Sequence, residues 1–204
     1  MQKLETLTQE EQIYLLKLAR KSLVEYSKTG KKLVIDVATV PENLKCQGAC
    51  FVTYHQFKQL RGCIGCIFPS RPLYQEVIAK SIDAAVHDPR FRPVSPSEVP
   101  NLELEISVLS HPMSVSSYDE IIIGTHGIIL EKYGKQALFL LQVAPEQGWT
   151  LEETLKHLCL KATLSPDAWK KDCNFQVFTA QVFSEKQYNL IEPPKHTHDT
   201  YSFI

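Results

Sequence analysis

The stretch Gln59-Leu60-Arg61-Gly62-Cys63-Ile64-Gly65-Cys66-Ile67-Phe68 decides how this chain is read. Its β-branched and aromatic content predicts a strand from Leu60 to Phe68, yet two glycines interrupt it. Glycine weakens a strand and marks a place where another backbone or a ligand comes close. In an extended chain Arg61, Cys63, Gly65 and Ile67 share one face, and Leu60, Gly62, Ile64, Cys66 and Phe68 the other. A guanidinium two residues from a thiol favours the thiolate, lowering its pKa from about 8.5. The simpler reading is a core cysteine in a glycine-adapted strand, because cysteine is among the most buried residue types.

Working outward, Thr8 and Glu11 have capping-box spacing, which predicts a helix start. Leu15, Leu18, Ala19 and Leu23 recur at helical spacing up to Gly30, a C-terminal stop. A strand-like LVIDVATV (33–40) follows, ended by Pro41, and GACFVTY (48–54) reads as a second strand. Pro72 opens another helix, with Leu73, Val77, Ile78, Ser81, Ile82 and Ala85 on one face. It stops near Asp88, since Pro89 disfavours helical geometry in the residue before it. Residues 91–100 read as an irregular crossing, and LELEISVLS (102–110) alternates as a half-buried strand. Residues 121–130 predict a hairpin turning at Gly124-Thr125-His126-Gly127. Thr150 and Glu153 repeat the capping box before a helix carrying Leu151, Leu155, Leu158, Cys159 and Ala162. Ser165-Pro166 predicts a short helical turn. One last strand, Phe175 to Phe183, precedes a polar tail over 184–204. With neither repeat nor linker, the chain reads as one unit. Helices interspersed with hairpin strands predict an α+β fold of mixed, largely antiparallel sheets with flanking helices.

The 204 residues carry 22 Lys and Arg against 23 Asp and Glu, and no run of five or six like charges. This balance argues against nucleic acid as the main partner, which calls for a basic face or stripe. No stretch approaches the roughly 20 apolar residues of a membrane span. The N-terminus lacks the apolar core of a secretory signal, so a cytoplasmic location is expected. In that reducing compartment the six cysteines are expected to be thiols. Cys46, Cys50, Cys63 and Cys66 come near zinc-ribbon spacing. Cys63 and Cys66 face opposite ways on an extended strand, however, so no metal and no cofactor is expected.

The motifs GACFVTY, LRGCIG, Pro72-Leu73, DPRFRPV, LELEISVLS, IGTHGIIL, LLQVAPEQGW and LCLKATLSPDAW occur in this order. Together they resemble the AMMECR-type domain family, also called AmmeMemoRadiSam system protein A, over residues 5–183. The resemblance implies a mixed α/β fold of two unequal subdomains. It also implies association with a Memo-like protein and a radical-SAM protein. It names no reaction.

Seven residues in or near the matched motifs are candidate site residues. Cys63 is the candidate nucleophile, with Asp88 after the second helix and His126 at the hairpin tip as acid, base or ligand. Arg61, Arg90, Glu105 and Gln142 are candidates for binding a small anionic substrate. Each has a structural alternative. Asp88 and Arg90 can form a local ion pair at a helix stop, and Glu105 can belong to a solvated sheet face. His126 can be an ordinary turn residue, and Gln142, interrupting an apolar strand, a structural hydrogen-bonding group. Two function classes follow: an enzyme built on a Cys63 thiolate, or a binding component whose LRGCIG groove holds a partner or ligand.

Overall fold

The structure is a computed structural model and describes residues 4–190. Helix α1 (Gln9–Thr29) begins and ends as its sequence dictates. Thr8 and Glu11 form the reciprocal capping box, and Gly30 closes the helix in the left-handed region at φ 68°. Helix α2 (Leu73–Val86) buries the predicted apolar face against α1 and against strands β1 (Cys50–Gln56) and β2 (Gln59–Gly65). Strand β3 (Glu103–Leu109) buries Leu104, Ile106 and Val108 and leaves Glu103, Glu105 and Ser107 half-buried.

The described residues divide into two units, 4–107 with 182–190, and 108–181. The second is thus inserted between β3 and β8 (Ala180–Ser184), which are neighbours in the first four-stranded sheet, ordered β2-β1-β3-β8. The second sheet, ordered β4-β7-β5-β6, comprises β4 (Met113–Val115), β5 (Gly127–Lys132), β6 (Lys135–Phe139) and β7 (Asn174–Phe178). Helix α3 (Val143–Gln147) is short, and α4 (Leu151–Lys161) starts on the Thr150–Glu153 capping box. Among the described residues, four α-helices and two antiparallel sheets make the α+β class plain.

A polar relay fixes the first core. Ser81 Oγ donates to the Ala19 carbonyl at 2.7 Å, and with its one proton so committed it accepts from the Tyr54 hydroxyl at 2.8 Å. One serine thereby ties α1, α2 and β1 together. At the far end of the chain, Glu185 is buried and paired with Arg20. In the second unit, Leu130, Leu155, Leu158, Trp169 and Phe175 form the core.

Three sequence expectations are corrected. LVIDVATV forms no strand, because Asp36 accepts the Ala38 N–H and turns the chain into a 3-10 helix (Val37–Thr39). The hairpin turn sits at Tyr133-Gly134, not at 124–127. Both turn residues have positive φ, 54° and 71°, as a two-residue hairpin of this twist requires. Gly127 is a strand residue whose missing side chain leaves room for the Phe178 ring, 2.2 Å from where a Cβ would stand. The single last strand is in fact two, β7 and β8, each in a different sheet.

Candidate functional site

Strand β2 is the edge of the first sheet, so one side of its backbone has no strand partner. An open edge invites pairing with other chains unless it is covered. Here the residues just after α2 cover it. The Asp88 carboxylate accepts the Cys63 N–H at 2.8 Å, and the Arg90 guanidinium donates to the Cys63 carbonyl at 3.2 Å. Asp88 and Arg90 also grip each other, through Nε at 2.9 Å and Nη2 at 2.7 Å. Helix α2 delivers this pair because Gly62 lets its end come close. A Cβ on Gly62 would lie 2.0 Å from the Ala84 carbonyl oxygen.

Asp88 is 4% exposed. Its hydrogen bonds to Arg90 outweigh the cost of burial and, with the Cys63 N–H, hold its carboxyl well below the usual carboxylate range. It is therefore an ionised structural acceptor, with no proton to give near neutrality. Arg90 keeps 55% of its side chain exposed.

Cys63 stands opposite Thr53 on β1, and the Thr53 hydroxyl donates to its Sγ at 3.1 Å. Burial pushes the thiol up; Thr53 and Arg90 pull it down, Asp88 and Glu105 push it further up, and the sum is a raised pKa. The expected activation by a neighbouring guanidinium is thus overturned. The Glu105 side chain, half-buried on β3, feels this thiol, and its carboxylate makes no hydrogen bond or ion pair with another described residue.

Arg61 does not serve Cys63. The pairing of β1 with β2 shifts between Tyr54 and His55, so Tyr54 faces Gly62 and His55 faces Leu60, leaving Arg61 as the extra residue of a bulge. That bulge breaks the alternation which would have aligned the two side chains. Arg61 is buried and forks onto Glu98 at 3.1 and 3.3 Å, with a third bond to the Arg92 carbonyl at 3.0 Å. The Ser95 N–H, together with Arg61, holds Glu98 down to about 2.

Four expected residues, Cys63, Asp88, Arg90 and Glu105, therefore converge in the first unit. His126 and Gln142 belong to the second. His126 Nδ1 accepts the Ile122 N–H at 3.1 Å and closes a turn, which occupies that lone pair. Gln142 lies outside any strand, exposed at the start of α3. Thr53 and Glu98 were not singled out from sequence. A buried Arg61 needs a carboxylate, and Glu98 is the one acidic residue in 91–100, so that signal was present.

Gly65 has a packing role too: the Phe51 ring lies 2.3 Å from where its Cβ would be. Among the described residues no three His, Cys, Asp or Glu side chains are grouped to hold a metal ion. His196 and His198 of the expected polar tail lie outside the described residues. No helix among the described residues is long and apolar enough to cross a membrane.

Comparison with known proteins agrees with this frame. The AMMECR1 family model matches residues 16–183. Protein MK0488 of Methanopyrus kandleri is 41% identical over 193 residues, covering 90% of this chain and 92% of its own. Protein PH0010 of Pyrococcus horikoshii is 40% identical over 184 residues, covering 85% and 89%. The crystal structure of that uncharacterised protein superposes with a TM-score of 0.76 at 38% identity, covering 88% of this chain and 94% of its own. The chain belongs to the AMMECR1 family.

Proposed function

We propose that this protein is a binding component in which Cys63 of the LRGCIG strand, with Thr53 of β1, Glu105 of β3 and Arg90 after α2, meets a partner, and that Cys63 is not a catalytic nucleophile. The observation that carries this reading is the Asp88–Arg90 clasp on the Cys63 backbone. It spends on structure the acid and the guanidinium that a thiolate mechanism needs, while the thiol itself is raised. A small anionic substrate would have to compete with Asp88 for Arg90 and meet the unpaired Glu105. A partner offering both a cation and a carboxylate fits the pair Glu105 and Arg90 better. The family resemblance points to a Memo-like or radical-SAM protein as that partner.

Affinity capture at native expression level tests this. The unaltered chain recovers its partner, and Glu105→Lys, which leaves the Asp88–Arg90 clasp in place, loses it while the fold persists. Recovery unchanged by this substitution overturns the reading. So does a chemical activity that Cys63→Ser abolishes in a folded protein.

A further inference from the structure

On the first unit, a groove of about 470 Å3 lies between α1 and the chain that follows it. Tyr14, Lys17 and Lys21 line one side and Val34 and Ile35 the other. Positions 14, 17 and 21 fall on one helix face, so the two ammonium groups stand one turn apart. Both lysines are exposed, and neither ammonium group hydrogen-bonds or ion-pairs with another described residue. The acid at the groove, Asp36, has one carboxylate oxygen turned onto the Ala38 N–H. Like charges four residues apart repel unless an anion lies between them.

The opposite wall is unusual in a different way. Leu33, Val34 and Ile35 are strand formers by composition, yet they sit in no strand. Their backbone N–H and C=O groups bond no other described residue. Val34 is 89% exposed and Val37 50%. An extended peptide can bind by pairing its main chain with exposed, unpartnered backbone groups, and this β-prone segment, facing a helix across a groove, offers such groups. The peptide's main chain bonds the segment, and alternate side chains drop into the groove. The volume suits a few side chains.

We propose that this groove binds an extended, acidic and apolar segment of a partner protein. Its backbone pairs with Leu33–Ile35, its apolar side chains cover Val34, and its carboxylates reach Lys17 and Lys21. No residue is shared with the LRGCIG site, so either reading can fail without the other.

The probe is a capped synthetic peptide alternating glutamate and valine, titrated into the full-length protein and followed by backbone amide NMR. The amides of Leu33, Val34 and Ile35 shift and gain exchange protection. The lysine–valine counterpart binds about tenfold or more weaker, and added salt weakens the glutamate peptide. K17E with K21E reverses the charge preference. V34S weakens the glutamate peptide without changing that preference; both variants alter exposed side chains and leave the fold intact. Equal binding by both peptides, or shifts elsewhere than Leu33–Ile35 at about 1 mM peptide, overturns the proposal. Decanoate binding the same amides more tightly than the glutamate peptide overturns it in favour of a small amphiphile.

Discussion

Asp88 Oδ2 accepts the backbone N–H of Cys63 at 2.8 Å, across 25 residues of sequence. This bond makes a side chain stand where the next strand of the sheet would otherwise be. Asp88→Ala removes the acceptor and leaves that edge amide unpaired, together with a freed Arg90. The expected loss is about 1–3 kcal/mol, read by chemical denaturation.

Acid titration checks the same carboxylates from another direction. Asp88 and Glu98 are both held below their unfolded values, which lie near 4. The unfolded chain therefore binds protons first as pH falls. Stability from these groups is complete above about pH 5 and drains away below about pH 4. Asp88→Asn should flatten the acid limb of the stability curve, and an unchanged slope would remove Asp88 from this role.

Arg61→Ala takes one partner from a largely buried pair and leaves Glu98 charged without its guanidinium. A loss of about 3–5 kcal/mol follows. Lysine is a poor replacement, since it cannot span both carboxylate oxygens and the Arg92 carbonyl. The alkylation rate of Cys63 in the surviving folded protein should not change. A large change would restore the direct link between Arg61 and the thiol.

Cys63 should react slowly with iodoacetamide at neutral pH, its rate rising through a midpoint above the ordinary cysteine value of about 8.5. Cys63→Ser keeps a group that accepts the Thr53 hydroxyl, so its cost is about 1 kcal/mol or less. Alkylation of Cys63 at neutral pH as fast as that of a free cysteine would contradict this.

Gly62→Ala is the harshest small change available. Its Cβ would meet a backbone carbonyl oxygen at 2.0 Å, an atom that cannot swing aside. Overpacking of this kind costs about 1–3 kcal/mol. It should also loosen the clasp, seen as faster amide exchange at Cys63.

Local chemistry made the helices legible. Thr8 with Glu11, Thr150 with Glu153, Gly30 and Pro89 all act on neighbours within a turn or two. The hairpin was misplaced because Tyr133 adopts positive φ with nothing in its type to announce it, while Gly124 and Gly127 look like turn residues. Gly127 is explained only by Phe178, fifty-one positions away in sequence. The site split along the same line. Cys63, Asp88, Arg90 and Glu105 each stood out by type and motif, and they do converge. What the thiol feels was not legible, because a one-residue bulge redirected Arg61 and burial outweighed the remaining guanidinium.

The insertion of residues 108–181 between neighbouring strands bears on how the chain is made. Synthesis delivers α1, β1, β2, α2 and β3 early, but β8 only after the whole inserted unit has emerged. During that interval β3, with Leu104 and Ile106 in its apolar row, is an open edge on a nascent sheet. Arg20, made among the first residues, waits for Glu185 to arrive 165 positions later. A chain stopped at residue 181 would lack both the covering strand and this counter-charge, and its hazard would be sticking to its copies as it leaves the ribosome.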